Sequence, residues 1–216
     1  MTDNPNQGTQ LPNHLMLPGD RLFTPINDLL IILAAVAHAA SHMVGGEVHK
    51  SQSNMSIGTT QYDYAFVLPL TGSLENALAA KFPPYIEIGM TRDDVQLKSA
   101  KLSTTGLDGP LVNLFPPIFL LYFERYNEWL NDKYGRNSVD QWPPTLNFAR
   151  VIRNAAAHGS VHFRDPNASP VSWRKLTNGP KDNGRKLIGD DLRPGDMLGL
   201  MFEINDELNK LAAPIL

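Results

Sequence analysis

Apolar side chains recur at intervals of three and four along five stretches of the chain, the spacing of one helical face rather than the alternation of a strand. The first starts at Thr24-Pro25, a capping hydroxyl followed by the residue favoured at the first helical position, and runs to Met43 before Gly45-Gly46. It is apolar nearly all round, which predicts a central buried helix. Residues 61–82 carry a helical pattern broken around 69–72, because proline removes a backbone donor and clashes with the preceding turn; two short helices or one kinked helix are expected. Pro116-Pro117 opens a long helix to about Lys133, ended by Gly135. Its Phe119, Tyr122, Phe123, Tyr126, Trp129 and Leu130 form an aromatic stripe, which belongs to a core far more often than to a base-stacking platform. A short connection then leads to residues 145–159, capped by Thr145 and stopped by Gly159. Pro194 begins the last helix, with Asp196 in its first turn and Leu198, Met201, Phe202, Ile204, Leu208 and Leu211 on its buried side.

The remaining segments are patterned differently. Residues 1–20, rich in Asn, Pro, Gln and Gly, predict a mobile arm ahead of a single domain spanning 21–216. Residues 47–60 are polar and predict a loop. Residues 83–112 mix short apolar groups with Pro83-Pro84 and glycines, and Thr91 with the three polar residues after it resembles a helix start. Residues 171–176 and 185–188 predict two short strands joined by the turn-rich 177–184, a hairpin reaching over a site like a finger. The fold class is therefore expected to be mainly α, an antiparallel helical bundle with a small β-hairpin before the last helix, since short links favour antiparallel neighbours.

Composition narrows the partners. The chain has no cysteine, so disulfides and thiolate metal sites are excluded and a reducing compartment, the cytoplasm, is expected. The N-terminus lacks the features of a signal peptide, and the longest apolar run, residues 29–37, is half the ~18 residues a membrane span needs. Net charge is −3, unevenly spread: residues 150–193 hold nine basic and four acidic residues, +5, while the rest holds 10 basic and 18 acidic, −8. A basic segment suits an anionic substrate, because phosphate contacts supply most sequence-independent affinity, although a solvated surface has the same composition. His38 and His42 share one face of the first helix, with Glu47 and His49 beyond; they could bind zinc, but the His-Glu-x-x-His pattern is absent, and such pairs more often hydrogen-bond to a neighbouring helix. Neither a glycine-rich phosphate loop nor a Gly-x-Ser-x-Gly elbow occurs, and no metal or cofactor is expected.

The richest chemistry lies at the end of the 145–159 helix. Arg150, Asn154 and His158 fall four apart, and Arg153 precedes His158 by five, about 140° around an ideal helix and about 7.5 Å along it. Arg153-Asn154-Ala155-Ala156-Ala157-His158 resembles the Arg, polar, three variable residues, His signature of the HEPN superfamily (higher eukaryotes and prokaryotes nucleotide-binding domains). That resemblance covers about fifteen residues and the helical layout. It implies a HEPN-like bundle whose Arg and His act in RNA cleavage at a cleft between two copies of the domain. Histidine has the unperturbed pKa range for moving protons, and arginine the planar fork suited to phosphate oxygens. His158 is thus expected to move protons, Arg153 to stabilise the phosphorane and Asn154 to position, with Arg150, Arg174, Lys175, Arg185 and Lys186 holding substrate. Metal-independent cleavage through the 2′-hydroxyl follows, in a homodimeric toxin or anti-phage defence component with RNA and possible antitoxin partners. The alternative is a non-catalytic HEPN module that binds nucleotide, RNA or a partner protein, in which Arg153 caps a neighbouring carbonyl and His158 interacts with its own helix terminus.

Overall fold

A computed structural model describes residues 13–43, 54–92, 112–135 and 139–216. The chain forms two compact units, Met1–Asp108 and Gly109–Leu216.

The first unit is built on a four-stranded antiparallel sheet with the order β1-β4-β3-β2, from β1 (His14–Met16), β2 (Asn54–Ile57), β3 (Ala65–Pro69) and β4 (Ile86–Thr91). The register pairs Leu15 with Glu87, Ser56 with Val67, and Phe66 with Met90. Helix α1 (Phe23–Met43) buries Ile26, Leu29, Leu30 and Leu33, and the sheet buries Phe66, Leu68 and Ile88. A short helix α2 (Ser73–Leu78) follows Gly72, whose φ of 78° is one that only glycine adopts readily.

This sheet corrects the expected fold class: the chain is mixed α/β and not a helical bundle. The physical reason lies in short apolar runs, which periodicity cannot divide between helix and strand. In the stretch 61–82, Ala65, Phe66 and Leu68 fall together in β3, and only the residues after Gly72 become helical. In β4 the burial alternates, Ile86 in, Glu87 out, Ile88 in, where the sequence offered no assignment. Residues 14–16 of the expected arm pair with β4, residues 1–12 lie outside the described residues, and so do 93–111 beyond Thr91.

In the second unit three helices pack on one another: α3 (Phe115–Tyr134), α4 (Pro144–His158) and α5 (Pro194–Lys210). The aromatic stripe of α3 is core, with Phe119, Tyr122, Phe123, Tyr126 and Leu130 buried. Only Trp129 is half-buried, with Lys133 Nζ 5.2 Å from its ring centre. The hairpin is shorter than expected: β5 (Val171–Trp173) pairs with β6 (Leu176–Asn178), not with 185–188. Its turn is Arg174-Lys175, and the Ser172 and Thr177 hydroxyls lie 2.9 Å apart across it. Trp173 stacks on Phe148 of α4, ring centres 5.4 Å apart, and its Nε1 donates to Glu203 of α5 at 2.6 Å. Helix α5 starts with Asp196 accepting the Arg193 backbone N–H at 2.8 Å. Among the described residues no helix is long and apolar enough to cross a membrane.

Candidate active site

Helix α4 is fixed by its apolar stripe. Leu146, Phe148, Ala149, Val151, Ile152 and Ala155 are buried, which leaves Arg150, Arg153 and Asn154 half-buried and Ala157 and His158 exposed. It begins one residue before Thr145, at Pro144, with Pro143 as its cap; the Pro143 carbonyl accepts the Asn147 N–H at 2.9 Å, and no side chain caps the helix. At the other end Gly159 turns the chain with φ 79° and donates to the Ala155 carbonyl at 2.8 Å.

Arg153 reaches across to α3. Its Nε donates to Glu124 Oε1 in an ion pair, and its Nη1 donates to Asn154 Oδ1 at 3.0 Å. Glu124 also accepts a weaker bond from Asn127 Nδ2 at 3.4 Å. Arg153 and Asn154 are therefore joined, but Asn154 turns its oxygen to the arginine, so its carbonyl serves Arg153 rather than the histidine ring. Arg150, one turn earlier, places Nε and Nη2 on Asn147 Oδ1 at 3.2 and 3.1 Å. Burial pushes the Arg150 pKa below its ordinary value, opposed by nearby Asp140. It remains a cation, as arginine does in proteins.

His158 stands exposed on the last turn, its ring centre 5.8 Å from that of His162, with the planes tilted by 59°. His162 was not among the residues expected from sequence. Its place is set by its neighbours: Val161 and Phe163 are buried, and His162 between them is exposed. The segment is clamped at both flanks. Val161 N–H donates to the Arg185 carbonyl at 2.9 Å and its carbonyl accepts Gly184 N–H at 3.0 Å. Phe163 N–H donates to Asn183 Oδ1 at 2.6 Å and its carbonyl accepts Asn183 Nδ2 at 3.0 Å. Helical spacing carries no meaning past Gly159, so the interval of four between the histidines does not signal their approach; the alternation Val161, His162, Phe163 is the signal that the sequence holds.

The basic residues divide into two groups. Arg174 is paired with Glu203 of α5 and lies over the Trp173 ring, and Arg185 donates to Asp191 Oδ2 at 2.7 Å with Asp182 3.8 Å away. Lys175 and Lys186 are exposed and make no ion pair among the described residues. The Arg174-Lys175 turn is thus tied to α5, while Arg185 adjoins the His162 segment through its backbone carbonyl, with Lys186 next to it in sequence.

His38 is exposed, whereas the side chain of His42 and all of Glu47 and His49 lie outside the described residues. No cluster of three or more metal-ligating side chains occurs among the described residues. Comparison of the chain with protein-family models, with curated proteins and with solved structures gave no match.

Proposed function

We propose that the chain is a metal-independent endoribonuclease of the HEPN type, a toxin or defence component that cleaves RNA by attack of a 2′-hydroxyl on the adjacent phosphate. The observation that carries this reading is the placing of the motif side chains at the end of α4, with an exposed imidazole at His158 and a guanidinium at Arg153 braced by Asn154. The family likeness is confined to this motif in the second unit. An exposed imidazole can take a proton from a docked substrate, and a planar guanidinium can offset charge on phosphorus. Arg150, Lys175 and Lys186 offer positive charge to the backbone of the strand, with Arg174 and Arg185 contributing once their carboxylate partners are displaced.

A homodimer suits the same motif. Residues five apart on one helix diverge by about 140°, so a site taking Arg153 from one copy and His158 from the other resolves the geometry. The absence of cysteine fits a reducing cytoplasm, where an antitoxin or other protein partner would meet it. Incubation of RNA with wild type and His158→Ala, with analysis of product ends, tests the function.

A second reading is favoured by the Arg153–Glu124 pair. A carboxylate on the guanidinium competes with phosphate there, as expected of a non-catalytic module that binds a partner protein at this helix end, or nucleotide or RNA through other residues. RNA left intact by wild type in that experiment supports it.

A further inference from the structure

Cleavage through the 2′-hydroxyl needs two proton transfers on opposite sides of one phosphorus. A base takes the proton from the attacking oxygen, and an acid delivers one to the departing 5′-oxygen. The motif supplies a single titratable group for both tasks. We propose that His162 is the second proton-transfer group of this site, the acid at the leaving oxygen, while His158 is the base; the assignment rests on the nuclease reading above.

Three features carry it. The ring centres are 5.8 Å apart and no hydrogen bond joins the rings, so each imidazole can reach a different oxygen of one phosphodiester, at the about 3 Å that proton transfer requires. The segment bearing His162 is held at Val161 and Phe163 by four hydrogen bonds to residues 183–185, so the ring is presented from a fixed backbone rather than a free loop. The fold makes no evident use of the ring itself. His162 is exposed, and the buried contacts of its segment belong to Val161 and Phe163.

The step balances. His158 removes the proton of the 2′-hydroxyl, the 2′-oxygen bonds phosphorus, and the bond from phosphorus to the 5′-oxygen breaks as that oxygen takes the proton of the His162 imidazolium. The products are a 2′,3′-cyclic phosphate and a 5′-hydroxyl. Exchange with water then returns the proton to His162 and removes that on His158.

The test uses the full chain and two short oligoribonucleotides with one cleavable linkage, one ordinary and one carrying sulfur in place of the bridging 5′-oxygen. A thiolate leaves without protonation, so the second substrate needs no acid. His162→Ala should slow the ordinary substrate by about 10²-fold or more, and the sulfur substrate should recover most of that loss. His158→Ala should stay slow on both. Thermal melts matching wild type identify a chemical rather than a structural defect. If His162→Ala cleaves the ordinary substrate as fast as wild type, or is equally slow on both substrates, the assignment is overturned while the nuclease reading stands. A wild-type chain that cleaves neither substrate overturns both.

Discussion

The Arg153 guanidinium is ion-paired with the Glu124 carboxylate of the neighbouring helix α3, each side chain about one-third exposed. The pair positions the arginine and at the same time opposes any phosphate brought to it. At this exposure it contributes only ~0.5 kcal/mol to stability, since partly solvated pairs are screened. Its effect on binding is larger, because it sets the charge at the site. Glu124→Gln should leave the melting temperature within a few degrees of wild type and tighten the binding of a short RNA several-fold in fluorescence anisotropy. Weaker binding by that variant would show that Glu124 orients Arg153 more than it competes for it.

The exposed lysines should matter more to RNA than the arginines beside them. Arg174 and Arg185 are already offset by Glu203 and Asp191, whereas Lys175 and Lys186 have no ion pair among the described residues. Lys175→Glu and Lys186→Glu should each weaken binding and lower the slope of log affinity against log salt by ~0.7 for each phosphate of a single-stranded RNA that is no longer neutralised. A salt slope unchanged in the double variant would assign these charges to solvent alone.

Gly159 ends α4 with φ 79°, and a Cβ there would meet nothing within 4 Å. The cost of Gly159→Ala is therefore conformational rather than steric, about 1–2 kcal/mol. The urea midpoint should fall with an unchanged slope, and Gly159→Asn should lose less. A midpoint equal to that of wild type would contradict the left-handed turn on which the placement of His162 depends.

If the site is shared between two copies, dimerisation is measurable through activity. Arg153→Ala and His158→Ala should each be inactive alone, and subunit exchange between them should restore cleavage, since one site of the mixed dimer then has both residues. Light scattering should show a dimer at micromolar concentration. A monomer, or a mixture that stays inactive, would place each site within one chain.

The strongly periodic helices were legible, and the sheet was not. The patterns around Ile26 to Leu33, Phe119 to Leu130, Leu146 to Ala155 and Leu198 to Leu208 each became a helix within a residue or two of the expected start, because a long apolar stripe has one solution. Phe66 and Leu68 sat in a run too short to separate strand from helix, and Ile86 and Ile88 alternated over too few residues to be read against the prolines before them. The hairpin was legible as a hairpin but not in register: Thr177 pairs with Ser172 across Arg174-Lys175, and Arg174 takes φ 50°, a conformation sequence rules assign to Gly or Asn. That Arg153, Asn154 and His158 share one helix was legible from their spacing. Glu124 and His162 were not, since both meet the motif through tertiary structure, one across a helix pair and the other after a glycine turn.

The proposed nuclease depends on His158 moving protons in RNA cleavage without a metal. RNA treated with wild type and with His158→Ala in excess chelator, and analysed for product ends, tests it most directly. Wild type should leave 2′,3′-cyclic phosphate ends and not cleave DNA, and the variant should lose ~10²–10⁴-fold in rate. Full activity without His158, cleavage abolished by chelator, or equal cleavage of DNA would contradict it.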